Sequence, residues 1–167
     1  MFDTPTTESG TQTRLLLPLG EDVCYTELLR KRTSIAAEGG KHAMPIYESG
    51  ENYLETILLL QQQNGFVRSV DVANALDYTK ASISRAMRIL KESGYIEIAR
   101  SGQITLTPKG MEKACDIYER HQVLTQFLMA ALGVAHKTAD ADACRIEHVI
   151  SEETFDAVRA YVRQHRF

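Results

Sequence analysis

Residues 79–107 read TKASISRAMRILKESGYIEIARSGQITLT, and this stretch decides the fold. From Lys80 to Ser93 the apolar residues Ile83, Ala86, Met87 and Leu90 recur at helical spacing. Gly94 stands where a helix end favours a left-handed residue. Tyr95–Ala99 then alternate apolar and polar side chains, Arg100, Ser101 and Gly102 turn, and Gln103–Thr107 alternate back. Working outward, Tyr53, Leu54, Ile57, Leu58 and Leu60 form a helical stripe that ends at Asn64 and Gly65. Ser69 is an N-cap candidate for a short helix through Val72, Ala73 and Leu76, and Asp77, Tyr78 and Thr79 make a turn. Helix, helix, turn, helix, hairpin is the order of a winged helix-turn-helix.

Downstream the pattern is helical throughout. Pro108 opens a long helix at a favoured first-turn position, and Gly133 stops it. A further helix is expected over about Asp140–Ile150, and Ser151 caps a last one carrying Phe155, Val158, Ala160 and Val162. The expected class is therefore mainly α: an N-terminal winged helix-turn-helix with a two-stranded wing, followed by a helical domain. Residues 44–108 form the first unit and 109–167 the second. Residues 1–43 lack a sustained period, are broken by Pro18, Gly39 and Gly40, and read as a flexible extension.

Composition bounds the function. The chain has 167 residues, 44% apolar and 25% charged, which is ordinary for a globular protein. A net charge of −3 gives no global nucleic-acid signature, although Lys and Arg can concentrate on one face. No apolar run approaches the roughly 20 residues needed to span a membrane. Leu15, Leu16 and Leu17 are too few for a secretion signal, so a cytoplasmic protein without a membrane partner is expected. Cys24 and Cys115 have no partner at ligand spacing and read as structural.

Two surfaces carry chemistry. With Ile83, Ala86, Met87 and Leu90 inward, the outward face of the third helix shows Thr79, Lys80, Ser82, Ser84, Arg85, Arg88 and Lys91. Hydroxyls and backbone N–H groups at a helix start hold phosphates, and an Arg one turn later can pair with a guanine edge. Arg100 at the hairpin tip would reach flanking phosphate. The second surface is Asp142-Ala143-Cys144-Arg145-Ile146-Glu147-His148. Cys144, Glu147 and His148 sit at i, i+3 and i+4, so a helix there would converge a thiolate, a carboxylate and an imidazole on one face.

These pieces resemble the metal-dependent repressors typified by the diphtheria toxin repressor and the manganese transport regulator. The resemblance covers about residues 47–164. Its carriers are Glu51-Asn52-Tyr53-Leu54-Glu55, Thr79–Ile96, Leu106-Thr107-Pro108-Lys109-Gly110, Arg120-His121 and Asp142–His148. It implies a homodimer that binds double-stranded operator DNA when loaded with Fe²⁺ or Mn²⁺. It also implies metal ligands. Cys144, Glu147 and His148 match the iron-responsive branch, and Glu55 and His121 match the manganese-responsive branch. Asn52 occupies a ligand position of both branches, where Met or Asp is usual. Thr125 and Asp140 stand where the iron branch places a second site, and Asp140 could substitute there in part.

The thiolate favours Fe²⁺ and the carboxylates shift back toward Mn²⁺, while Zn²⁺, Co²⁺ or Ni²⁺ would substitute in vitro by affinity order. A bound ion would tie the two halves together and fix two recognition helices roughly 34 Å apart, or a multiple of that, matching successive major grooves. Ile146, Val149, Ile150, Phe155, Val158 and Val162 exceed the apolar surface that two short helices need internally, which points to a dimer interface. The expectation is a metal-dependent repressor of metal-homeostasis genes, not an enzyme, with no small-molecule substrate. A winged-helix regulator with a vestigial metal site is the alternative. A metallohydrolase using Glu147 as base lacks an HExxH pair.

Overall fold

A computed structural model describes residues 48–165, with the side chain of Glu48 excepted. The expected extension at residues 1–43 lies outside the described residues. In chain order the elements are α1 (Glu48–Asn64), α2 (Ser69–Leu76), α3 (Lys80–Glu92), β1 (Ile96–Ile98), β2 (Ile104–Leu106), α4 (Pro108–Leu132), α5 (His136–Ile146) and α6 (Glu152–Gln164). The two strands pair antiparallel, with Ile96 opposite Leu106, Glu97 opposite Thr105 and Ile98 opposite Ile104. This is the winged helix-turn-helix order read from the sequence, followed by three helices.

The first core forms where the periodicity places it. Leu54, Ile57 and Leu58 of α1 meet Val72 and Ala73 of α2, Ile83, Met87 and Leu90 of α3, and Ile96 and Ile104 of the hairpin, all buried. Ala114 and Cys115 extend this core onto α4. The rest of α4 packs on α5 and α6, where Ile117, Leu124, Ala139, Ala143 and Phe155 are buried. Twenty-five residues of α4, about 37 Å at 1.5 Å per residue, thus run through both cores.

The junction between wing and α4 explains the Leu106–Gly110 run. Thr107 caps α4: its Oγ1 accepts from the Gly110 N–H at 3.1 Å and donates to the Gly94 carbonyl at 2.8 Å. Its backbone N–H donates to the Tyr95 carbonyl at 3.0 Å. Lys109 Nζ donates to the Ser93 carbonyl at 3.0 Å and lies over the Tyr95 ring. These contacts bring the backbones so close that a Cβ on Gly110 would stand 1.9 Å from the Tyr95 oxygen.

The bounds of α2 and α5 differ from expectation, and both strands are shorter than the alternation suggests. Ser69 is the first residue of α2 rather than its cap; Arg68 precedes it, its N–H donating to Asp71 Oδ2 at 2.8 Å. The helix expected over Asp140–Ile150 lies four residues earlier, at His136–Ile146. Gly133 takes a positive φ of 67° and closes α4, and only two residues separate it from His136. At the other end, the carbonyls of Glu147 and Ile150 accept from Arg120 Nη1 at 3.3 and 3.4 Å. The turn after Ile146 is thus tied to α4.

Gly110→Ala tests the wing junction. With backbone rather than a yielding side chain in the way, we expect a loss of about 3 kcal/mol in urea unfolding. An unchanged midpoint would mean that the approach is not tight.

Candidate metal centre and nucleic-acid interface

Glu51 and Glu55 are one helical turn apart on α1, so both project toward α4. His121 projects from the middle of α4, and Glu147 from the turn that Arg120 holds. Glu55, His121 and Glu147 are all buried, and one donor atom from each lies within 4.8 Å of the others. His121 Nδ1 is 2.8 Å from Glu147 Oε2, and its Nε2 is 2.8 Å from Asp140 Oδ1. Glu147 Oε1 is buried without a hydrogen bond and lies 3.3 Å from His148 Nε2.

His148 also turns inward. Its Nδ1 is 2.9 Å from Glu51 Oε2, and Glu51 Oε1 is 2.6 Å from Lys113 Nζ on α4. Burial raises the Glu51 pKa, but hydrogen bonds to His148 and Lys113, with the charges of both, outweigh it and hold the pKa at about 2. His148 is pushed up, first by its hydrogen bond to Glu51, against burial and with help from the charges of Glu147, Glu51 and Glu55.

Of the sequence-derived ligands, Glu55, His121 and Glu147 therefore come together, and His148 adjoins them. Cys144 lies in the last turn of α5, Glu147 is its C-cap with helical φ −54° and ψ −30° and its N–H on the Ala143 carbonyl, and His148 follows. The half-buried Cys144 thiol falls outside the group of three donors. Asn52 sits between Glu51 and Glu55, and its backbone carbonyl accepts from Thr56 Oγ1 at 2.8 Å. Asp140 backs His121 from the far side, and Thr125 Oγ1 is buried without a hydrogen bond. Sequence reasoning missed the role of Glu51, although it shares a face with Glu55. It also missed Arg120, whose guanidinium clamps the 147–150 turn, pairs with Glu152 and lies over Phe155.

The donor set fits a divalent cation. Two buried carboxylates close to one another are costly to ionise in a low-dielectric pocket, and a cation between them removes that cost. Oxygen and imidazole donors suit Mn²⁺ and Fe²⁺.

The second surface lies on α3 and the wing. Ile83, Met87 and Leu90 are buried, and Lys80, Ser82, Ser84, Arg85, Arg88 and Lys91 are exposed along the opposite side. Arg100 is exposed in the hairpin turn. Thr79 is the N-cap: its Oγ1 accepts from the Ser82 N–H at 3.2 Å and meets the Ser82 hydroxyl at 2.9 Å. Ile89, 45% exposed, is an apolar interruption of this polar face.

Two adjoining segments of the chain match known domains. Residues 46–103 match the iron dependent repressor N-terminal DNA binding domain, and residues 107–167 match the iron dependent repressor metal binding and dimerisation domain. The chain belongs to the iron-dependent repressor family. It is 35% identical over 115 residues to the transcriptional regulator MntR of Salmonella typhimurium, covering 69% of this chain and 73% of that protein. It is 30% identical over 118 residues to an uncharacterized HTH-type transcriptional regulator of Methanocaldococcus jannaschii, covering 70% and 94%. Among solved structures, it is similar to a manganese-dependent transcriptional repressor in complex with manganese, with TM-score 0.64 and 25% identity over 68% of this chain. The chain spans about half of that structure, 52% of its length. The family match places Glu55 in the DNA-binding half and His121 and Glu147 in the metal-binding half. Among the described residues, no helix is long and apolar enough to cross a membrane.

The Thr79 cap yields a direct check. Thr79→Ala should cost about 1 kcal/mol of stability before any effect on DNA is considered. Urea unfolding of the free protein measures it, and no loss would mean that the hydroxyl does not cap α3.

Proposed function

We propose that this chain is a metal-activated repressor of transcription that binds operator DNA as a homodimer. The observation that carries the proposal is the meeting of Glu55, from the DNA-binding half, with His121 and Glu147, from the other, within 4.8 Å. A cation held there would link the halves, and an arrangement favoured by metal and by DNA alike would raise DNA affinity.

Glu55, His121, Glu147 and His148 are the proposed ligands, with Asn52 offering an amide oxygen and Cys144 a thiolate from the last turn of α5. Fe²⁺ and Mn²⁺ are the proposed activators, and Zn²⁺, Co²⁺ or Ni²⁺ would occupy the site in vitro. When bound, the ion supplies positive charge and a fixed geometry. Glu147 and Glu55 would neutralise it, His121 and His148 would add nitrogen donors, and Arg120 keeps the 147–150 turn in place. The activity proposed is binding and not catalysis, in the cytoplasm, without a small-molecule substrate. The proposed DNA contacts are Thr79, Lys80, Ser82, Ser84, Arg85, Arg88 and Arg100. Residues 44–108 and 109–167 are the proposed working units. Val149, 72% exposed, and Leu132, 62% exposed, are the apolar side chains offered to a partner protomer. Phe155, expected at that interface, is instead 1% exposed inside the subunit, with the guanidinium groups of Arg120 and Arg159 over its ring.

Operator selection with and without Mn²⁺, repeated anaerobically with Fe²⁺, tests the function. Glu147→Gln should remove metal-dependent operator binding while leaving the helical circular dichroism intact. Undiminished metal activation in that variant would reject the site.

The reading surface is tested separately. Arg85→Ala should lose roughly 1–3 kcal/mol on the selected operator and relax preference at one position per half-site. Arg100→Ala should weaken all sequences alike and reduce the salt slope by about one. If Arg100→Ala alone altered sequence preference, the roles would be reversed.

A further inference from the structure

Each inward-facing histidine has a carboxylate on its outer side. His148 presents Nε2 to Glu147 at 3.3 Å, and its Nδ1 meets Glu51 at 2.9 Å. His121 presents Nδ1 to Glu147 at 2.8 Å, and its Nε2 meets Asp140 at 2.8 Å. The two rings therefore face Glu147 through different nitrogens. Glu147 belongs to the donor group and Glu51 and Asp140 do not, so with an ion on Glu147 only the outer carboxylates would remain to accept from the rings, and the outer nitrogen of each would carry the proton. The inner nitrogen is then the one able to offer a lone pair.

We propose that Glu51 and Asp140 are positioning residues that fix which nitrogen each histidine gives to the metal: Nε2 of His148 and Nδ1 of His121. The inference deepens the metal-site reading above and rests on it. Asp140, expected from the sequence as a partial substitute ligand, becomes a support for a ligand. Glu51 becomes more than an ion pair across α1 and α4. Carboxylates behind metal-bound histidines set ring orientation and raise ligand basicity, and their loss typically weakens metal binding 10–100-fold.

Geometry separates positioning from mere structural linkage. Lys113 shares Glu51 with His148, so Glu51→Ala removes both contacts while Lys113→Gln removes one. Glu51→Gln and Asp140→Asn keep an oxygen that accepts from the outer N–H.

The test uses the full chain loaded with Zn²⁺, which is diamagnetic. Long-range proton–nitrogen correlation spectra of the histidine rings report which nitrogen bears hydrogen and which bears metal. The expected result is Nδ1–H with metal on Nε2 for His148, and Nε2–H with metal on Nδ1 for His121. Zn²⁺ affinity, measured by competition with a chelating dye, should fall about 10–100-fold in Glu51→Ala and in Asp140→Ala. Glu51→Gln and Asp140→Asn should recover most of it, and Lys113→Gln should stay within about threefold of the unsubstituted protein. If an Ala variant does not fold, the ring assignments in the unsubstituted protein still decide. Stoichiometric Zn²⁺ binding through the opposite nitrogens, or equal affinity in folded Ala variants, overturns this inference alone. If the unsubstituted protein takes up no Zn²⁺, the metal-site reading falls and this inference with it.

Discussion

Two glutamates buried beside one histidine set the terms for the rest of the molecule. Glu55 is 0% exposed and Glu147 is 2% exposed, and both lie near His121 in the interior. A carboxylate taken out of water costs several kcal/mol unless positive charge or hydrogen bonds replace its hydration. The chain surrounds this pair with histidines 121 and 148, and those histidines with Glu51, Asp140 and Lys113. Such a network is a poor way to stabilise a fold compared with apolar packing, and a good way to hold a divalent ion.

The charges are useful because of where the helices carry them. α1 belongs to the DNA-binding half, yet it lays Glu51 and Glu55 against α4 and the turn after α5. α4 is common to both cores, and at its start Thr107, Lys109 and Gly110 bind it to the base of the wing. Arg120, one residue before His121, clamps the turn that presents Glu147 and His148. A restraint on the proposed metal side would therefore reach α3, the proposed reading helix, through packed helices and backbone hydrogen bonds. The family to which the chain belongs combines a DNA-binding domain with a metal-binding and dimerisation domain, and here one helix joins the two.

Much of the fold was legible because its signals are local. Ile83, Met87 and Leu90 mark α3 by spacing, Gly94 and Gly133 mark helix ends by their left-handed backbone, and alternation marks the hairpin. The end of α5 was not legible, because the turn after Ile146 is tied to Arg120, 27 residues before Glu147, and no local pattern points to that contact. The site was legible in part. Glu55, His121 and Glu147 follow from the family resemblance, and the structure brings them together. The spacing that singled out Cys144 falls at the end of α5, where Cys144 is in the last turn and Glu147 is the C-cap. The part played by Glu51 depends on a contact 97 positions away in sequence, to which no local pattern points.

Metal and operator DNA are proposed to favour one and the same arrangement of the two halves. Thermodynamic linkage then requires a single coupling factor. Mn²⁺ affinity should be measured calorimetrically on the full chain with and without saturating operator DNA, and operator affinity with and without saturating Mn²⁺. A shared arrangement predicts that each ligand tightens the other by the same factor, of about 5- to 150-fold. Mn²⁺ binding of equal strength with and without operator would contradict it.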